Sequence, residues 1–400
     1  MAGRRRAGRP GVAGLGLLLG LLLVPLTGCG GPRTADPARA EVQHVLDVRS
    51  AALLRHDPAA YGTTGTRDTY DRLRAVPLES WSYRLTALRR DGASATADAR
   101  LSYRVRGYDR APVTTARRLT LRTTADGHWY VTADRPAGGT GEQLWDQGTV
   151  SAVRGTYGLV LGVGQSTSAL RAYERLADRA VPAVSGAWGT DWARRVVVLV
   201  PRSLDGMAGL LGSHASSYRG IAAVTTGEVG TSGTTPADRI IVNPEAYALL
   251  GDAGKQLVLT HETTHVATRT HTNAATPLWL SEGYADWIGY LGSDRTPVQA
   301  APELSRAVRD GDLPEDLPAD GDFGFTTDAG RLARAYEGGW LACRMIAGQW
   351  GEARLAAFYR AVGAHGRRAG AVEDALRTVL GTTPERFREQ WRAYLRDQLG

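Results

Sequence analysis

Lysine is almost absent: Lys255 is the only one in 400 residues, so nearly all the positive charge is arginine. That bias reads as genome composition rather than function, because the arginines are scattered among acids instead of gathered on one face. The charge pattern therefore gives no support to a nucleic-acid partner. Cysteine is nearly as scarce, at two residues, Cys29 and Cys343. Cys343 falls in an apolar helical stretch, where an inert buried thiol is the ordinary state. If Cys29 is modified, as argued next, no disulfide is available and stability has to come from packing. A comfortable membrane span is also lacking, since the apolar run Val12 to Leu26 falls short of the about 20 residues that a crossing helix needs. What remains is 43% hydrophobic and 22% charged, the balance of an ordinary globular protein. The length points to two domains, each with its own core.

The start of the chain reads as an address. Met1 to Arg9 is basic, Val12 to Leu26 is apolar, and Leu26-Thr27-Gly28-Cys29 follows at once. This looks like a bacterial lipobox, whose cysteine is lipidated and becomes the mature N-terminus. An uncleaved signal anchor that happens to end in Cys is the alternative. The expectation is a signal peptide over 1–28, lipidation at Cys29 and a Gly/Pro/Thr tether over 29–37. The protein would then sit on the extracytoplasmic face of the cell membrane, held by acyl chains worth about 0.8 kcal/mol per buried methylene. Of the formal charge of +7, Arg4, Arg5, Arg6 and Arg9 would leave with the signal.

Beyond the tether, Val42, Val45, Leu46, Leu53 and Leu54 recur at helical spacing. From Trp81 to Ala133 the pattern becomes alternation, in Trp81 to Leu85, Ala99 to Val105, Arg118 to Thr123 and His128 to Val131, with Asp91-Gly92 and Asp126-Gly127 placed as turns. A helix followed by an antiparallel sheet with one wet face resembles the NTF2-like cone fold, the closing Asp126-Gly127-His128-Trp129-Tyr130-Val131 strand included. This domain spans 38–135, and the linker is 136–142, Pro-Ala-Gly-Gly-Thr-Gly-Glu. The second domain, 143–400, reads as a strand over Val150 to Leu161, a helix over Ser168 to Ser185, and a buried strand over Arg195 to Val200. Tyr218 to Thr226 and Asp238 to Asn243 are further strands, and from Gly254 onward the chain is almost wholly helical, with Thr383 capping a last helix that starts at Pro384. The fold class is α+β: helix plus antiparallel sheet, then a small sheet followed by a helical bundle.

The chemistry concentrates in the helix from Gly254 to about Thr270, which carries His261-Glu262-Thr263-Thr264-His265. Histidines at i and i+4 share one face, so both imidazoles can reach one metal ion, and the glutamate between them can take a proton from water. With 8 histidines in 400 residues, this pattern would arise by chance in only about one in a hundred such chains. A tetrahedral catalytic site needs a third protein ligand and leaves a fourth position open. His271 and Glu282 compete for that role. His271 has the offset seen in metzincins, but the glycine those enzymes place between their second and third histidines is here Thr268, a β-branched residue poor at positive φ. The next methionine is Met345, too far along for a Met-turn. Glu282 lies on a second helix reading from Thr276 to Trp287, with Pro277 in its first turn.

His-Glu-x-x-His followed by Trp279-x-x-Glu282-Gly283-x-x-Asp286 resembles the signature of gluzincin zinc metallopeptidases, in particular the peptidase MA-like group related to M1 aminopeptidases. The resemblance covers roughly Gln143 to Leu399, with its specific motifs between Thr260 and Gly339. It implies one zinc ion held by His261, His265 and Glu282, with Asp286 supporting a ligand histidine. It also implies Glu262 as general base and, from Tyr336-Glu337-Gly338-Gly339 opening a helix, Tyr336 as the partner of the oxyanion. The implied function is hydrolysis of a peptide or protein substrate. Sixteen residues separate His265 from Glu282, slightly fewer than in M1 enzymes. No counterpart of the M1 Gly-x-Met-Glu-Asn segment is found, which leaves endo- or exopeptidase mode open. Arg219 to Thr225 is a candidate edge strand for an extended substrate. A reading from another class stands beside this one: a non-catalytic lipoprotein that binds a ligand or partner through its NTF2-like half, the rest being a degenerate peptidase fold.

Overall fold

A computed structural model describes residues 36–227, 235–324 and 328–400. The signal peptide over 1–28, the lipidation site Cys29 and almost all of the tether lie outside the described residues. Among the described residues, no helix is long and apolar enough to cross a membrane.

The first layer is helix α1 (Pro37–Leu54) on a four-stranded antiparallel meander, β1 (Leu78–Asp91), β2 (Ser94–Val105), β3 (Val113–Thr123) and β4 (Trp129–Pro136). Pro37 starts α1 at a position where its missing N–H costs nothing, and Asp36 accepts from Ala38 N. Alternation puts Trp81, Tyr83 and Leu85 on the inner face against Val42 and Leu46 of α1. Asp91-Gly92 makes the β1–β2 turn with Gly92 at φ 55, and Asp126-Gly127 the β3–β4 turn with Gly127 at φ 84. These strands run longer than the alternating segments predict.

The second sheet has five strands: β5 (Val150–Arg154), β6 (Gly158–Val163), β7 (Val196–Val200), β8 (Ala223–Thr226) and β9 (Arg239–Val242), in the order β5-β6-β7-β9-β8. β6, β7 and β9 are parallel, β5 and β8 antiparallel to their neighbours, and β8 is an edge. Helix α2 (Thr167–Trp188) makes the β6-to-β7 crossover. Two expectations change here. The single strand over Val150 to Leu161 is a hairpin, because Asp178 of α2 accepts the amides of Thr156, Tyr157 and Gly158 and stabilises a turn between β5 and β6. The strand expected over Tyr218 to Thr226 is only its last four residues, preceded by a helical turn at Ala215–Tyr218.

The remainder is a helical bundle containing α3 (Asp252–Thr268), α4 (Leu278–Tyr290), α5 (Pro302–Arg309), α6 (Ala329–Trp350), α7 (Glu352–Gly363) and α8 (Pro384–Leu399), with Thr383 capping α8. Pro277 is the cap of α4 at ψ 149, not a residue of its first turn. The motif at Tyr336 lies inside α6 rather than opening a helix, since Asp328 supplies the cap by accepting from Gly330 N and Arg331 N. Cys343 is fully buried in the bundle core. The architecture is α+β, an antiparallel sheet first, then a small sheet and a helical bundle. One apolar core joins the sheets, running from Trp81 and Tyr103 through Trp145 to Leu161 and Val197.

Candidate metal centre

Helix α3 is rich in threonine, a residue that competes for backbone hydrogen bonds, yet its hydroxyls are satisfied within the helix. Thr263, Thr264 and Thr268 donate to the carbonyls four residues earlier. That leaves the face carrying His261 and His265 free to point at α4, where Glu282 and, one turn on, Asp286 face back. His261 Nε2, His265 Nε2 and Glu282 Oε2 form a triangle with sides of 3.1, 3.2 and 3.4 Å. Among the described residues, these three are the one group of donors close enough to hold an ion. His261 Nδ1 lies 2.7 Å from Asp286 Oδ1, which places a proton on that nitrogen and turns Nε2 toward the triangle.

The electrostatics follow from the packing. Burial by itself would pull the His261 imidazole down, but the carboxylates of Asp286 and Glu282 outweigh it and hold the group well above its ordinary range. Burial would likewise raise the Glu282 carboxyl, and the two histidines beside it hold it far below the usual carboxylate range instead. Tyr336 faces the same cleft, its ring 6.5 Å from that of His261 and packed edge-on against Phe323. Burial first, then the charges of Glu282, Asp286 and Glu262, push its phenol up, so it stays a hydrogen-bond donor. His271 is not drawn in. It packs edge-on at 5.5 Å against Trp188, with burial and the Arg360 charge lowering its pKa, and it is not among the converging donors.

One functional contact escapes sequence reasoning. Thr225, on edge strand β8, donates its hydroxyl to Glu262 Oε2 at 2.6 Å. The partners are 37 residues apart, and nothing in the local pattern of either segment announces the pair. β8 forms one wall of a cleft of about 830 Å³ that also contains the three donors, Glu262, Asp286 and Tyr336. A separate, mostly apolar cavity of about 410 Å³ lies between the two sheets and contains none of them.

Two expectations arise at this site. Removing Asp286 leaves the His261 ring without its anchor, so Asp286→Ala is expected to weaken any divalent-metal binding at the triangle by about 10–100-fold, read with added zinc by competition against a chromogenic chelator. Glu337 also lines the cleft, and burial raises its carboxyl to about 7 although it accepts the amides of Leu304 and Glu303. Its folded pKa lies above the unfolded one, so the folded state holds more protons between about pH 4.5 and 7, and stability falls as pH rises through that window. The side chain is partly solvated, which limits the loss to about 1–2 kcal/mol. Denaturant unfolding at pH 5 and 8 should therefore show a smaller difference for Glu337→Gln than for the parent.

No protein-family model matches the chain, and neither does any curated protein. Among solved structures, native yeast LTA4 hydrolase is similar with a TM-score of 0.38 at 14% identity, over 70% of this chain and 44% of that one. An M1 zinc metallopeptidase from Deinococcus radiodurans gives 0.37 at 17% identity, over 81% of this chain and 62% of that one. The chain thus spans less than two thirds of the length of either. A two-domain M1 zinc metallopeptidase mutant bound to L-arginine gives 0.38 at 12% identity, over 80% of this chain and 94% of that one.

Proposed function

We propose that this chain is a zinc-dependent peptidase of gluzincin type, held on the membrane by a lipid on Cys29 and carrying an NTF2-like domain ahead of its catalytic half. The observation that carries the catalytic reading is the donor triangle. Three corners of a tetrahedron with bonds of about 2.0–2.1 Å lie about 3.3 Å apart, and the sides here are 3.1, 3.2 and 3.4 Å. Two imidazole nitrogens and one carboxylate oxygen, with Asp286 behind His261, are also the donor chemistry that zinc takes in catalytic sites. The residues present therefore fit the metal, with His261, His265 and Glu282 as its ligands. Zinc bound there would supply a Lewis acid that makes a water acidic near neutral pH and polarises a carbonyl.

The protein's own groups do the rest. Glu262, its Oε2 held by Thr225, takes the proton from the attacking water and returns it to the leaving amine. Tyr336, kept protonated, donates to the carbonyl oxygen as it becomes an oxyanion. Among the described residues, β8 offers an unpaired strand edge along the cleft, where an extended peptide can lie beside Glu262. The test is metal analysis of the purified full-length chain together with cleavage of an unstructured protein. One zinc per chain and cleavage abolished by a chelator and restored by zinc are expected. A chain that binds no zinc and cleaves nothing would return the protein to the ligand-binding alternative.

A further inference from the structure

His261, His265 and Arg269 follow one another at intervals of four, so Arg269 continues the metal-facing stripe of α3 about 6 Å beyond His265. Its side chain lines the cleft and is 16% exposed. Among the described residues, only one of its five N–H groups has a protein partner: Nε donates to Asp238 Oδ2 at 2.8 Å. Asp238 is itself largely buried, and the next residue, Arg239, is taken up by Asp109 at 2.8 Å. Asp238 therefore grips the inner edge of the Arg269 guanidinium and fixes its plane, while the terminal nitrogens, unpartnered among the described residues, line the cleft.

The other charges facing this cleft are accounted for. Glu282 lies against both histidines, Asp286 against His261, and Glu262 accepts from Thr225. Glu337 is occupied by the two amides at the start of α5. Arg219, before β8, is the second arginine of the lining, and it is exposed. Among the described lining residues, no carboxylate is left over to hold a substrate's free amine, whereas a guanidinium fork, oriented from behind, is. Such a fork matches a carboxylate with two parallel hydrogen bonds.

We propose that Arg269 determines specificity by binding a carboxylate of the peptide near the bond to be cut, either an acidic side chain or a free C-terminus. This rests on the peptidase reading. The test uses the zinc-loaded full-length chain and octapeptides in which glutamate or glutamine is moved through each position, every peptide made with both an acid and an amide C-terminus. A preference in kcat/KM of at least about tenfold for glutamate at one position, or for the acid terminus, is expected, and the two arms separate the sources. In Arg269→Met the preference should collapse toward one, and Arg269→Lys should keep part of it. Because Arg269→Met strands Asp238, the double variant Asp238→Asn/Arg269→Met is measured alongside, with the same collapse expected.

Equilibrium binding of the same peptides to Glu262→Gln protein reads the preference without turnover. Failure to cleave any peptide, with the binding preference intact, would overturn the peptidase reading and leave the carboxylate site standing. No discrimination between the paired peptides, no binding of any of them, or a preference that survives both Arg269 variants would overturn the inference about Arg269.

Discussion

Replacing Glu262 with glutamine is expected to reduce turnover by roughly a thousandfold or more while leaving zinc at one per chain. The substitution keeps the size of the side chain and a carbonyl oxygen that can still accept from Thr225, so α3 and its packing against β8 should survive. What disappears is the ability to take a proton. The amide cannot act as a base near neutral pH, and the proposed mechanism needs the same group twice, once when water attacks and once when the amine leaves. The proposed ligands His261, His265 and Glu282 are untouched, so zinc content and the thermal transition should match the parent. Single-turnover kinetics with metal analysis on the same sample would check both halves. Full activity in this variant would remove Glu262 from the mechanism. Loss of zinc together with activity would mean that the glutamate holds the site together rather than doing its chemistry.

The parts of this site that could be read from the sequence are those governed by one helix at a time. His261, Glu262 and His265 form a five-residue pattern whose geometry follows from the helical repeat alone, and Glu282 and Asp286 are one turn apart on the next helix. The choice of Glu282 over His271 is a tertiary matter. In the structure α4 crosses α3 and brings Glu282 to the two histidines, while the His271 ring packs against Trp188. Tyr336 was visible as a motif but misplaced within its helix, because the residues around Asp328 give only a weak local start signal and the cap shows in three dimensions. The sequence places Thr225 on a candidate substrate edge strand but gives no sign of its bond to Glu262, and Arg269 is not legible at all. Each acquires its meaning from a partner on another element far away in sequence, Glu262 of α3 in one case and Asp238, just before β9, in the other. The β5–β6 hairpin was missed for a similar reason, since its turn is held by a carboxylate from the following helix.

The second large effect is expected where the two site helices touch. Gly283 follows Glu282 on α4, and Gly339 lies three residues after Tyr336 on α6. A Cβ on Gly283 would stand 2.2 Å from the Gly339 carbonyl oxygen, and one on Gly339 would stand 2.6 Å from the Trp279 carbonyl oxygen. The obstacle in both cases is backbone, which cannot rotate away, so the helices would have to separate. In an isolated helix, alanine is better than glycine by about 1 kcal/mol. Here the overlap outweighs that gain, and Gly283→Ala is expected to cost about 3 kcal/mol, the upper end of the range for overpacked cores. The functional loss should exceed what the stability loss predicts, because moving α4 off α6 displaces Glu282 from the histidines and Tyr336 from the cleft together. Gly348→Ala on the same α6 is the matched control. It is exposed, with nothing within 4 Å of the added carbon, so it should stabilise by about 0.5–1 kcal/mol. Thermal unfolding and zinc affinity of the two variants decide the matter. A Gly283→Ala protein that melts with the parent and keeps its zinc would show that this crossing does not lock the site.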